Sequence, residues 1–168
     1  MAGAGLTTVD NLTGPLQALA RGLTHPADLI ANLGAALVAS TKDRFLTETA
    51  PDGSAWEALN PLYAKGKKGP GILREGGAMG GLMSTIVWQA DGDRRLEVGT
   101  NRIYAAAHQF GAIIVPKTAA QLVFEMAGRL FAADIVVIPA RPYLGLSQED
   151  AEDMLDLAAD YVQGLLTR

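Results

Sequence analysis

The sequence predicts an α+β fold: an antiparallel sheet with an extended β-hairpin, packed by N-terminal helices and an acidic C-terminal helix. Leucines recur at helical spacing in the first fifty residues, and a second amphipathic pattern follows residue 147. Between them, short β-rich runs alternate with turn dipeptides. The chain has 168 residues, of which 49% are hydrophobic and 6% aromatic. This length fits a single domain, 1–168, whose core rests on aliphatic side chains.

The N-terminal part, residues 1–50, is predicted to be helical. The residue before a proline avoids the helical region, so His25-Pro26 separates a short helix from a long one. Thr24 or Asp28 is the candidate cap of the long helix. Ala55–Lys65 is either a short helix or an irregular segment. The predicted bounds are Asp10–Gly22 and Ala27–Thr49 for the two helices and Ala50–Ser54 for a turn.

The segment 66–81 is predicted to be an exposed, flexible loop because it contains seven glycines. It lacks both the Walker pattern and the G-x-G-x-x-G pattern of phosphate-binding loops. Four basic residues in or beside it are candidate partner-binding residues: Lys65, Lys67, Lys68 and Arg74. Such a group is more typical of a solvated linker or of a contact with an acidic partner than of a nucleic-acid site. Contact with DNA stays open as an alternative.

The segment 82–146 is predicted to be β-rich, with a small helix at 101–110. The Asp91-Gly92 pair indicates a first hairpin, and the Ala127-Gly128 pair indicates the turn of an extended second one. Pro139–Leu146 contains two prolines and is predicted to be a rigid linker. The predicted strands are Leu82–Gln89, Arg95–Gly99, Ala112–Val115, Gln121–Glu125 and Arg129–Ile138.

The C-terminal helix is predicted over residues 147–166. Ser147 and Asp150 form a capping signature, and the acids of the first turn complement the positive helix N-terminus. Residues 147–168 carry six acids and one arginine, so the acidity of a chain with net charge −4 is concentrated here. One apolar stripe is predicted to face the core: Ala151, Met154, Leu155, Ala158, Tyr161, Val162 and Leu165.

No residue pattern indicates catalysis, a metal site or a cofactor site. The chain has no cysteine and only two histidines, and no ligand-type residue lies three or four positions from His108. We interpret His108 as a structural histidine and the carboxylates of the last helix as a solvated face. A net charge of −4 and a pI of about 5.1 argue against a general nucleic-acid binder. The N-terminus lacks the basic start of a secretory signal, and no membrane-spanning stretch is predicted.

Five strings stand in order along the chain: Arg44-Phe45, PDGSAWEAL (Pro51–Leu59), ILREGGAMGGL (Ile72–Leu82), GTNRIYAAAHQFG (Gly99–Gly111) and IPARPYLGLSQED (Ile138–Asp150). From about residue 40 onward the chain resembles the virion morphogenesis, or tail completion, proteins of Mu-like and related tailed phages. The sequence departs from the family pattern at Ala55, where proline is common, and over residues 77–80, where a more polar run is common. Residues 1–40 lie outside the resemblance.

The resemblance implies a non-enzymatic virion protein of the neck or proximal tail, assembled in the host bacterial cytoplasm. The expected function is a homo-oligomeric ring, expected to be hexameric from tail symmetry, that completes or terminates the tail and joins it to the head. Its expected partners are further copies of itself and the tail tube protein or the head–tail connector proteins. DNA passing through the lumen is an optional further contact, and no membrane is expected. The alternative is a connector ring, an adaptor or stopper, on the portal side.

Residues of these strings also have predicted structural roles. Arg141 is expected to hold a carboxylate or backbone carbonyl groups, and it is a fifth candidate partner-binding residue. Tyr143 and Leu144 are expected to anchor the last helix, with Gly145 allowing the turn into it. Phe110 is expected to point inward, and Gln109 is expected to satisfy a buried backbone group. The motif residues assigned to the scaffold are Trp56, His108, Gln109, Phe110, Pro142, Tyr143, Leu144 and Gly145.

Overall fold

The computed structural model describes residues 13–75 and 81–167, and in this part of the chain helices come first and last, with short β-ribbons between them in the sequence. The described helices are α1 (Thr13–Thr24), α2 (Ala27–Thr47), α3 (Pro61–Gly66), α4 (Ala105–Phe110) and α5 (Gln148–Leu166), with a 3₁₀ turn over Leu82–Thr85. The described strands are β1 (Val87–Ala90), β2 (Leu96–Gly99), β3 (Ala112–Ile114), β4 (Leu122–Met126), β5 (Arg129–Ala133) and β6 (Val136–Ile138). This arrangement confirms the predicted α+β class.

The six strands pair as three antiparallel two-stranded ribbons: β1–β2, β3–β6 and β4–β5. The last two are successive parts of one long hairpin, which runs from Ala112 paired with Ile138 to Met126 paired with Arg129. Its two-residue turn, Ala127-Gly128, has positive φ at both positions, the conformation that matches the twist of a tight hairpin. The predicted second hairpin is therefore confirmed.

An aromatic cluster lies at the centre of the core. The ring of Phe45 on α2 lies 5.4 Å from Trp56 in an edge-to-face arrangement and 5.2 Å from Tyr143. Ile72 and Leu73 are buried in the same cluster. The prediction that 66–81 is an exposed loop is therefore wrong at these two residues, whose apolar side chains outweigh the surrounding glycines. Residues 76–80 lie outside the described residues.

The helices pack on one another and on the first ribbon. α5 contacts α1 and α2, and α2 also contacts β1 and β2. Gly34 permits the contact between α2 and β1, because a Cβ at residue 34 would lie 2.5 Å from the Trp88 ring. The hydroxyl of Tyr161 donates to the Gly22 carbonyl at 3.1 Å and ties α5 to α1.

Several predicted element ends differ from the structure. Asp10 lies outside the described residues, and α1 is described from Thr13. No side chain caps α2; the Thr24 hydroxyl instead donates to Ala20 within α1, so the prediction of a Thr24 or Asp28 cap is wrong. The predicted strand from Leu82 begins as the 3₁₀ turn, and the small helix begins at Ala105.

Candidate functional site

The segment before α5 is held by hydrogen bonds to two distant parts of the chain. Arg141 is 5% exposed, and its guanidinium donates to the carbonyl oxygens of Glu57 at 2.9 Å and Ala58 at 3.4 Å. Its backbone N–H donates to the His108 carbonyl at 2.7 Å. The predicted alternative in which Arg141 holds backbone carbonyls is therefore the one observed, and these bonds occupy its side chain inside the fold.

Gln109 forms the second connection, and it uses both ends of its amide. Its Oε1 accepts from the backbone N–H groups of Tyr143 and Leu144, each at 3.0 Å, and its Nε2 donates to the Leu144 carbonyl at 2.9 Å. The predicted role of Gln109 is confirmed. The indole N–H of Trp56 donates to the Pro142 carbonyl at 2.9 Å, so three consecutive residues of this segment are fixed from two sides.

A buried ion pair joins α2 to the start of α5. The Arg44 guanidinium bonds to the Asp150 carboxylate and also donates to the carbonyl oxygens of Tyr143 at 3.0 Å and Gly145 at 2.9 Å. Asp150 completes the predicted capping box with Ser147. Burial tends to raise the pKa of Asp150, but hydrogen bonds from Ser147 and Ser40 and the Arg44 charge hold it below its ordinary value.

His108 lies beside this network, in surroundings that disfavour the protonated form of its ring. Burial and the nearby Arg141 lower the pKa of its imidazole, which favours the neutral form. Its ring lies edge-to-face with Tyr104 at 5.8 Å. Nδ1 has no hydrogen-bond partner among the described residues. The structure thus packs His108 as an aromatic side chain rather than presenting it as a base.

These connections form one unit, which we call the hub: Arg44, Trp56, Gln109, Arg141, Tyr143 and Asp150. The hub members bond mainly to one another or to backbone atoms, so the arrangement fixes the geometry of the chain and leaves no reactive group exposed. Among the described residues, no group of three or more His, Asp or Glu side chains is placed to hold a metal ion. Within the same residues, no helix is both long and apolar enough to span a membrane.

The candidate partner-binding residues separate into two kinds. Lys67 donates through Nζ to the Arg74 carbonyl at 2.6 Å, and the Arg74 guanidinium lies 3.4 Å from the Glu48 carboxylate. Lys65 and Lys68 are exposed and form no ion pair with a described residue. Partner binding by these residues remains a prediction, and Lys65 and Lys68 are the two whose ammonium groups stay free for it.

The long hairpin exposes large apolar side chains on both of its ribbons. Ile113 and Val137 are cross-strand partners and are both exposed. On the distal ribbon, Val123 and Leu130 are exposed by 69% and 77% on the face that Glu125 shares. Scattered apolar residues are ordinary on a protein surface, whereas a run of them along one element marks an interaction site.

Phe110 adds to this surface and is 78% exposed, so the prediction that it points inward is wrong. Residues of a helix are separated by about 100°. Phe110 therefore lies on the opposite side of α4 from His108, whose ring packs on Tyr104. None of these exposed residues was predicted from the sequence to bind a partner, although the alternation of apolar residues in 112–138 is visible there.

The profile described as the phage virion morphogenesis family matches residues 7–163, so similarity extends into the N-terminal helices that the sequence analysis left outside the resemblance. "Mu-like prophage FluMu G protein 2" of Haemophilus influenzae is 28% identical over 164 residues, 96% of each chain. "Putative capsid assembly protein G" of Escherichia phage Mu is 30% identical over 138 residues, 80% of this chain and 78% of the relative. No solved structure matches the chain significantly.

Proposed function

We propose that this chain, which belongs to the phage virion morphogenesis family, is a structural protein of the neck or proximal tail of a tailed phage. It assembles into a homo-oligomeric ring that completes or terminates the tail and joins it to the head. The interfaces between subunits and neighbouring rings replace an active site, and the chain acts by binding.

The exposed hairpin is the observation that carries this proposal. Its strands pair only with each other among the described residues, so each ribbon has two outer edges with unpaired backbone groups. A two-stranded hairpin is marginally stable alone, and this one exposes Ile113, Val123, Leu130 and Val137. A neighbouring subunit covers this surface and stabilises it, which makes the hairpin an assembly element.

The hub supports a structural rather than an enzymatic role. The guanidinium groups of Arg44 and Arg141 and the amide of Gln109 donate to backbone carbonyls or to Asp150. If these side chains took part in a reaction, they would have to give up the hydrogen bonds that hold the segment before α5. The hub thereby serves as the rigid base from which the hairpin projects.

A connector ring on the portal side is the second candidate, and one observation favours it. The relative from phage Mu is described as a putative capsid assembly protein, a description that points to the head rather than to the tail tube. Both candidates use the same hairpin and differ in the neighbour that it meets.

The test measures the mass of the purified chain by light scattering, alone and with tail tube protein or portal protein, with negative-stain imaging of any rings. Assembly on tube protein supports the tail-end ring, and assembly on portal protein supports the connector ring. A chain that stays monomeric alone and after addition of either tail tube protein or portal protein refutes the proposal.

A surface variant links this measurement to the hairpin. Val123→Lys combined with Leu130→Lys places two charges on the exposed face without touching the core. We expect a folded monomer that fails to form rings and fails to restore infectious particles in a phage lacking the gene. Leu46→Lys, on an exposed position of α2, is the matched control and should assemble normally.

Deletion of residues 67–80 would not serve as a test of assembly, because Ile72 and Leu73 belong to the core and their loss would unfold the chain.

A further inference from the structure

The C-terminal helix has a second apolar face that nothing in the described chain covers. Its inward stripe consists of Met154, Leu157, Ala158, Tyr161 and Leu165, all buried or half-buried. An outward stripe at spacings of three and four residues consists of Ala151, Leu155, Ala159, Val162 and Leu166, all exposed. The single stripe predicted from the sequence is therefore wrong for Ala151, Leu155 and Val162. Leu155 alone exposes 71% of its surface.

Carboxylates flank this stripe without cationic partners. α5 carries six acids and no basic residue, and of these only Asp150 forms an ion pair within the described residues. Like charges recur four residues apart at Glu149 and Asp153, and again along Glu152, Asp156 and Asp160. Such pairs destabilise a free helix. A cationic partner lying along the helix removes that repulsion.

A basic surface lies elsewhere on the same chain. The end of α3 touches the hairpin turn, since a Cβ on Gly66 would lie 3.2 Å from the Ala127 backbone. This contact brings Lys65 and Lys68 to the same end of the molecule as Arg129. We call these three residues the basic end. All three are exposed and form no ion pair with a described residue. Exposed Leu130 follows Arg129 in the chain and lies on the opposite face of the ribbon, because it pairs with Glu125 whereas Arg129 pairs with Met126.

We propose that the outward face of α5 in one copy docks on the basic end of the next copy. The two surfaces match in charge, because the face of α5 is negative and the basic end is positive. They lie on different elements: α5 packs on α1 and α2, whereas α3 and the distal ribbon form the basic end. Two different complementary patches on one chain produce a head-to-tail contact, which closes into a ring when the rotation per subunit permits.

This inference rests on the proposed ring and supplies the interface that builds it. Glu125 lies on the exposed face of the distal ribbon, but the basic end still carries three positive charges against this one. The acidic face of α5 repels nucleic acid, so DNA is a poor occupant for it. A basic segment of another virion protein is the competing occupant, and the experiment separates it from a second copy.

The absence of cysteine from the sequence makes site-specific crosslinking clean. A chain carrying both Leu155→Cys and Leu130→Cys, assembled into rings and treated with a short bis-maleimide, should give a ladder of covalent multimers. Each single variant should give no multimer, and Leu46→Cys with Leu155→Cys is the control pair that should also give none. Dimers from Leu155→Cys alone would indicate a two-fold contact and overturn the proposal, as would crosslinks only to another virion protein.

Charge reversal then tests direction. One variant carries Glu152→Lys and Asp156→Lys, and the other carries Lys65→Glu and Arg129→Glu. Each alone should remain a folded monomer by circular dichroism and light scattering. Their equimolar mixture keeps the unchanged interface and also pairs the reversed α5 face with the reversed basic end, so multimers in which the two variants alternate should form again. If the wild-type protein forms rings and each variant alone forms them too, the proposed docking surface is wrong, but the proposed function is not affected. A wild-type chain that never assembles would refute both.

Discussion

Replacing Arg44 by methionine should strongly destabilise the fold, although no apolar contact of the core is removed. The change keeps an unbranched side chain but deletes the donors to Tyr143, Gly145 and Asp150. It leaves the Asp150 carboxylate buried at about 6% exposure with no cation beside it. The backbone carbonyls of Tyr143, which is buried, and of Gly145 lose these donors at the same time.

The expected magnitude follows from this geometry. Breaking a buried ion pair by removing one partner costs about 3–5 kcal/mol, because the remaining charge is uncompensated. The Asp150 carboxylate still accepts a hydrogen bond from the Ser147 backbone N–H at 2.7 Å, which limits the loss of folding free energy. With a urea slope of about 2 kcal/mol per molar, the unfolding midpoint should fall by about 2 M.

Urea denaturation followed by tryptophan fluorescence measures this shift, and the chain supplies its own control. Arg95 and Asp91 form an exposed ion pair of 2.8 Å, so Arg95→Met should change the free energy of unfolding by about 0.5 kcal/mol or less. Adding Asp150→Asn to Arg44→Met should cost less than the two single changes together, since no charge is then left unpaired. Equal midpoints for Arg44→Met and Arg95→Met would refute the reasoning.

Three further predictions concern the neighbouring residues. Gln109→Glu removes the donor to the Leu144 carbonyl and should lower the free energy of unfolding by about 1–3 kcal/mol in urea titration. The pKa of His108 is lowered in the fold, so the unfolded chain takes up a proton at this residue first as the pH falls. The free energy of unfolding should therefore be highest above about pH 6.5 and should decline as the pH falls toward the folded pKa. This decline should vanish in His108→Gln when the free energy of unfolding is measured across pH 5–8. Gly145→Ala should lower the melting temperature, because φ is 147° and the new Cβ would lie 2.8 Å from Pro51.

Local patterns explain why most elements were predictable from the sequence. The cap of α5 needs only Ser147 and Asp150, three residues apart, and the hairpin turn needs only a two-residue loop between β-rich runs. In each case the deciding interaction lies within a short stretch or recurs in many proteins.

The errors arose where long-range packing overrides local composition. Ile72 and Leu73 stand among glycines, yet burial of two large apolar side chains outweighs the flexibility of their neighbours. The pair of Arg44 with Asp150 joins residues 106 positions apart, and no local signal indicates it. Phe110 was assigned to the interior by its type alone, and the rotation of α4 places it outside.

The strings that carry the family resemblance meet in the hub rather than on the hairpin surface. Arg44, Trp56, Gln109 and Arg141 come from four different strings, and their side chains hold the segment before α5 in place. A bidentate guanidinium or a fully bonded amide admits few substitutes, whereas an exposed apolar residue at a subunit contact is exchangeable if its neighbour changes with it. Relatives that are 28% or 30% identical can therefore keep the scaffold while their contacts diverge. On this reasoning, most of the residues that would select the neighbour in the proposed ring lie outside the strings, on the hairpin and on the outward face of α5, and Phe110 is the exception.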